Sequence, residues 1–390
     1  MTIKLIKSSF YNEQEEKEKL CEFIKDSPQF SFWKYCKLFE KKYAERQWRK
    51  YCVFFNSWSS ANLALLQSLL NIWTIKKWDN IAFSSLTWAT NVMPIIELWL
   101  NPIPIDVELS TLNVSLKTFK EVTVNHNIKV LFITNLLWFC DNIDEIEKFC
   151  NENDILLLED NCESMWTVYK WKKLWNFSFA STFSTYVWHH MSTIEWWMVC
   201  TDDEDLYVML HMVRAHWWDR NLDPELQSKV RKKYNLDPFY AKYTFYTLWY
   251  NLRPNDINWF IGNQQIEYLD EIVDKRQNNF KKFAEILNSN DDFYQLKCNH
   301  IDIVSNFSVP VVCKSRQIFE KYLQKFTDAG VEIRPIVWWD LTQSIFWKNR
   351  YGELDKETNA KYIHNNWFYF GNSPEYTDEE IELLCSLLEK

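Results

Sequence analysis

Between residues 51 and 201, short apolar runs alternate with helical stretches, and this alternation restricts the fold more than any other feature. YCVFF (51–55), NIAFS (80–84), PIPID (102–106), KVLFIT (129–134), DILLLED (154–160), FASTFS (179–184) and MVCT (198–201) read as strands. SSANLALLQSLL (59–70), TWATNVMPIIELWL (87–100) and DEIEKFCNEN (144–153) read as helices between them. Strands that are apolar throughout are buried on both faces, so the pattern predicts an α/β fold with a mostly parallel central sheet. In such a sheet, the carboxyl ends of the strands line the ligand crevice.

The flanking segments have a different texture. Residues 11–50 are charged and helix-prone, and DEDLYVMLHMVRAH (203–216) is helical. A long helix is expected over 256–289. The remaining hundred residues or so carry short strands (IVSNFSVPVV, VEIRPIV) and helices (RQIFEKYLQKFTDAG, DEEIELLCSLLEK). This divides the chain into a large domain over 1–255, with an N-terminal helical segment, and a linking helix with a smaller C-terminal α+β domain over 256–390.

Composition excludes several classes. With 47% hydrophobic and 25% charged residues, the chain is not disordered. A net charge of −9 suits no nucleic-acid backbone. No uncharged apolar run reaches the length of a membrane span. The start MTIKLIKSSFYNEQEEKEKL has no apolar leader, so a cytoplasmic location is expected, with the ten Cys reduced. None of those Cys forms a CxxC or a zinc-like Cys/His spacing, so no metal is expected.

Four clusters carry chemistry. LLLEDNCES (156–164) ends a buried strand in Glu159-Asp160, where an acid either holds a cation or caps the next turn. FSTYVWHHMSTIEWWMV (183–199) places His189 and His190 among hydroxyls after a strand; either is a general base or a packed histidine. RAHWWDR (214–220) and YNLRPND (250–256) supply cations and amides near helix ends.

These clusters, in this order, together with NSWSSAN (56–62) and SSLTWATN (84–91), resemble the sugar aminotransferase and dehydratase family. Its members use pyridoxal or pyridoxamine phosphate on the type I aminotransferase fold. The departure that matters is at the cofactor lysine: six residues before Glu195, that position holds His189. Without the lysine, ordinary transamination is disfavoured. One branch has the same replacement, the 3-dehydratases of nucleotide-linked 4-keto-6-deoxy sugars, with a GDP-linked mannose derivative as the expected substrate. Aminotransfer by another lysine (Lys170, Lys172 or Lys173) and an inactive scaffold are the alternatives. An iron–sulfur cluster, which a sister group binds through a Cys-rich insertion, is not expected, since 214–253 contains no Cys.

The resemblance implies further roles. His189 is the catalytic base and a plausible acid. Asp160 pairs with the pyridine nitrogen, Trp88 stacks on the ring and Glu163 hydrogen-bonds the ring hydroxyl. Ser184, Ser57, Ser59 and the backbone at Trp58 hold the phosphate, with Asn251 reaching in from the partner of a homodimer. His216, Arg220, Arg253 and Arg334 are candidates for substrate contacts or for helix-end and salt-bridge roles. Glutamate regenerates the pyridoxamine form.

Glycine is 4 where average usage of about 7% gives roughly 27, and Trp is 22. Trp58, Trp138, Trp166, Trp171, Trp175, Trp188, Trp196, Trp197, Trp217, Trp249, Trp338 and Trp339 stand where the resemblance places glycine. Trp33, Trp88, Trp347 and Trp367 look native by context. An indole at 58 is expected to fill the space meant for phosphate. Together such changes are expected to lower stability and activity.

Overall fold

The computed structural model describes residues 2–31, 34–216, 218–237, 239–246, 250–335, 340–353 and 357–390, without the side chains of Lys34, Arg220 and Lys242. Seven strands form the central sheet: β1 (Tyr51–Phe55), β2 (Asn80–Ser84), β3 (Asn101–Ile105), β4 (Ile128–Thr134), β5 (Leu156–Asp160), β6 (Ala180–Ser184) and β7 (Trp197–Thr201). Their order is β1-β7-β6-β5-β4-β2-β3. Only β7 runs antiparallel to its neighbours. The expected strands and the mostly parallel sheet are therefore present, and the cause is visible in burial. Val53–Phe55, Ile81–Phe83 and Val130–Phe132 are buried on both faces of their strands.

Register brings the crevice together. Thr134 pairs with Asp160, and Asp160 with Thr182, so the ends of β4, β5 and β6 emerge side by side. The antiparallel β7 starts at the same edge, with Trp197 opposite both Phe55 and Ser184. Helix Trp58–Asn71 leaves that edge directly after β1, capped by the Ser57 side chain on Ser60 N–H.

The helix expected over 256–289 is two helices, Asp256–Gln265 and Leu269–Ser289, joined by a 3-10 turn at Ile266–Tyr268. Gln265, Ile266 and Leu269 keep right-handed backbone angles, so the turn tightens the path without reversing it. A second, antiparallel sheet contains Ser308–Val312, Ile333–Pro335 and, between them, Trp367–Gly371. The central strand, WFYFG, is absent from the sequence expectation because it follows helix Asn359–Asn366 with no turn residue between. Gly371 needs to be glycine: a Cβ there would lie 2.4 Å from the Leu5 carbonyl oxygen. The N-terminal residues thus pack on this sheet, where Ile3 also bridges to Val331.

Candidate active site

The strand ends surround a cavity of about 400 Å³. Ser57, Trp58 and Ser59 line it from the first turn after β1, and Trp88 and Thr90 from the start of helix Ala89–Glu97. Glu163 follows β5, Tyr186, Trp188, His189 and Glu195 connect β6 to β7, and Trp197 opens β7. Tyr369 closes it from the second sheet, and Phe307 from just before that sheet's strand Ser308–Val312.

Asp160, at the end of β5, is fully buried behind Trp58. One carboxylate oxygen accepts from Asn91 Nδ2 at 2.7 Å and from the Trp58 indole N–H at 3.0 Å. The other accepts from Cys162 N–H at 3.1 Å. Burial raises its pKa above the usual carboxylate value, against these hydrogen bonds, which lower it. The Trp58 ring lies parallel to Trp197 (5.3 Å between centroids) and to Trp88 (6.2 Å). Three indoles therefore stack across the site, with the middle one pointing its N–H at Asp160.

His189 is the base in reach of the cavity. Its backbone N–H donates to Tyr186 O at 2.9 Å, and its carbonyl accepts from Arg276 Nη1 at 3.0 Å. Ring atom Nδ1 is hydrogen-bonded to the Ser184 hydroxyl, which also accepts from Tyr186 N–H. Burial, and then the Arg276 charge, lower its pKa to about 3, so the imidazole is neutral near pH 7. His190 points elsewhere: Nε2 donates to Ser305 O at 2.7 Å. Its pKa is also lowered well below the ordinary value by burial.

A buried carboxylate at the end of β5, a capped helix N-terminus and a histidine after β6 are the features the resemblance implies. Residues 11–389 match the DegT/DnrJ/EryC1/StrS aminotransferase family. The chain belongs to this family. Among its relatives, the GDP-4-keto-6-deoxy-D-mannose 3-dehydratase of Yersinia pseudotuberculosis is 31% identical over 384 residues, covering 94% of each chain. The solved E coli GDP-4-keto-6-deoxy-D-mannose-3-dehydratase with bound hydrated PLP superposes with a TM-score of 0.87, at 27% identity and full coverage of both chains. A GDP-4-keto-6-deoxymannose-3-dehydratase with a trapped PLP-glutamate geminal diamine gives 0.86 at 26% identity, again over both whole chains.

The donor set fits the family's cofactor in kind. Asp160 suits a protonated ring nitrogen, Trp88 a stacking face, and the first turn of helix Trp58–Asn71 a phosphate. Glu163 lines the cavity and accepts from Leu137 N–H at 3.0 Å. The Trp58 indole does not fit. It fills the space over Asp160 and under Trp88, rather than the phosphate turn where it was expected.

The remaining expected residues divide. Arg334 sits at the cavity rim, its guanidinium 4.9 Å from the centre of the Trp188 ring, and it donates to Glu332 at 2.5 Å. Asn251, His216 and Arg253 form a group of their own, outside the cavity lining. Arg253 Nε donates to Asn251 Oδ1 at 3.0 Å, and Arg253 Nη2 lies 3.4 Å from His216 Nε2. The Arg220 side chain and residues Trp33, Trp217, Trp249, Trp338 and Trp339 lie outside the described residues.

No lysine is among the described residues that line the cavity. Lys170 pairs with Asp144 at 2.6 Å and Lys172 with Glu147 at 3.5 Å. Lys173 donates to the Arg46 carbonyl, with its ammonium 3.8 Å from the Trp166 ring centre. The residues that sequence reasoning missed are Asn91, on the Asp160 carboxylate, and Arg276, on the His189 carbonyl. Asn91 sits in a segment already singled out. Arg276 lies 87 positions beyond His189, with no local signal to link them.

Proposed function

We propose that the chain is a pyridoxamine-phosphate-dependent 3-dehydratase of a nucleotide-linked 4-keto-6-deoxy sugar, GDP-4-keto-6-deoxy-D-mannose, in 3,6-dideoxysugar formation. The observation that carries this reading is His189 in the place of the family's lysine, facing a cavity without another lysine among its described lining residues. When bound, pyridoxamine phosphate supplies an amine for the sugar's 4-ketone and an electron sink for the carbon that loses a proton. Everything else falls to the chain's own residues. Asp160 would hold the proton on the ring nitrogen, Trp88 would stack on the ring, and Glu163 would face its hydroxyl. Ser57, Ser59 and Ser184, with the helix N-terminus, would hold the phosphate.

His189 would do the proton transfer. Its depressed pKa keeps it neutral, so it can accept a proton without first losing one. With Nδ1–H donating to Ser184, Nε2 would be the accepting atom. The resulting imidazolium would then give that proton to the departing 3-hydroxyl. Substrate phosphates and sugar would meet Arg334 at the rim. His216, Arg220 and Arg253 would contact substrate from their surface group, with Asn251 crossing to the second subunit of a homodimer. Glutamate would restore the amine between turnovers, and the enzyme would work in the cytoplasm.

A second reading has an observation behind it. With Trp58 over Asp160, the chain would be a cofactor-free scaffold. The assay that separates the two is conversion of GDP-4-keto-6-deoxy-D-mannose with glutamate and pyridoxal phosphate, by the unaltered chain and by Trp58→Gly: conversion by Trp58→Gly alone would mean that the unaltered chain is a scaffold. Loss of the 3-hydroxyl, abolished by His189→Asn, is the expected result for the chain with Trp58→Gly. A 4-amino product instead would mean transamination and would overturn the dehydratase reading.

A further inference from the structure

Helix ends show what the left-handed positions of this chain require. Helix Arg316–Asp328 closes with Gly330 N–H on Thr327 O at 2.9 Å and Val331 N–H on Phe326 O at 3.0 Å, Gly330 having φ 72°. This double bond pattern calls for a left-handed residue, usually glycine. Helices Lys34–Arg46, Trp58–Asn71 and Ala89–Glu97 end in the same way. The pairs are Trp48 on Glu45 with Arg49 on Ala44, Trp73 on Leu70 with Thr74 on Leu69, and Trp99 on Ile96 with Leu100 on Ile95. In Gly330's place each has a tryptophan, with φ of 58°, 63° and 63°.

What offsets this choice is slight: Lys173 lies 4.9 Å from the Trp48 ring centre, and Trp99 meets Trp78, which is itself exposed and left-handed. A left-handed residue bearing a Cβ costs roughly 1–2 kcal/mol. The three indoles are 59%, 80% and 55% exposed, so burial returns little. Helices Ile143–Glu152 and Pro224–Lys233 place Asp154 and Asn235 at the same position, residue types that tolerate it. Elsewhere the pattern repeats. Lys170-Trp171 is a two-residue hairpin turn with φ of 49° and 61°, where glycine is preferred second. Trp138, at φ 69°, is fully buried with no partner for its indole N–H among the described residues. Trp58 adds a functional case, since its indole N–H is bonded to Asp160, the residue expected to face the cofactor's ring nitrogen.

We infer that the polypeptide made in the source cell carries glycine at Trp48, Trp58, Trp73, Trp99, Trp138 and Trp171, through one codon that is read in two ways. UGA is read as stop, tryptophan or glycine in different genetic codes, so a single codon accounts for one residue type replacing another at sites of different structure. With glycine at 58, the space between Trp88 and Trp197 over Asp160 opens. Only residue 58 rests on the cofactor reading proposed above; the helix ends stand without it.

Two measurements test this, and neither needs activity. Sequencing the gene should show UGA at these six positions and UGG at Trp88, Trp347 and Trp367. The same codon at all nine would overturn the inference. The chain with Trp48→Gly, Trp73→Gly and Trp99→Gly should melt higher, by roughly 2 °C per site. An unchanged or lower Tm would show that the indoles belong there and would also overturn it. Failure of the cofactor reading alone would leave both results as expected.

Discussion

The two sides of the cavity differ in what they keep. On one side, Asp160, Ser184 and His189 are connected by hydrogen bonds to strand ends and to neighbouring backbone. On the other, Trp58 and Trp197, where the family resemblance implies glycine, stack their rings and fill space. Polar groups at strand ends are set by register and survive changes nearby. Space beside a ligand depends on the absence of side chains, and one indole removes it. Chemistry and capacity are thus separate properties of one site, and the first can be present without the second.

The largest effect that would sharpen this contrast is on the polar side. In the chain with Trp58→Gly, His189→Asn should lower turnover by roughly 10²–10⁴-fold while leaving pyridoxal phosphate binding unchanged. Equal loss of binding would mean that His189 holds the cofactor rather than moving a proton. On the indole side, Trp58→Gly alone should improve the apparent affinity for pyridoxal phosphate by on the order of 100-fold, because the competent state is no longer closed. Titration by absorbance measures this, and no change would place the obstacle elsewhere.

A smaller effect concerns Glu159, fully buried next to Asp160, where burial pushes its carboxyl up to about 8 from 4.5. The folded state then holds this proton more tightly than the unfolded one, so stability falls as pH rises from about 4.5 to 8 and levels above. Glu159→Gln removes the titration. Its Tm advantage over the parent should therefore grow between pH 5 and 8; a gap that stays constant would refute the assignment. The smallest effect is Trp73→Gly by itself, far from the chemistry, which should raise Tm by roughly 2 °C in a thermal melt.

Much of this was legible in the sequence, for particular reasons. The seven central strands read correctly because most are short apolar runs between polar turns. His189 stood out through its spacing from Glu195 and the family resemblance, and Asp160 through its place at a strand end. What was not legible depends on tertiary approach. The Trp58 indole turns to Asp160, 102 positions away, instead of blocking the phosphate turn. Arg276 reaches the His189 carbonyl from a long helix whose own periodicity explains it as an ordinary polar residue. WFYFG joins its sheet through partners on either side that no local pattern announces.

The central claim is that the indole of Trp58 is what closes the cofactor site, and that His189 replaces the lysine. The most direct test is the absorbance spectrum of the Trp58→Gly chain with pyridoxal phosphate, followed by borohydride in one portion and glutamate in another. The account predicts that the cofactor binds, that borohydride leaves none attached to protein, and that glutamate shifts the spectrum to the pyridoxamine form. Cofactor fixed to a lysine, or no binding once residue 58 is glycine, would contradict it.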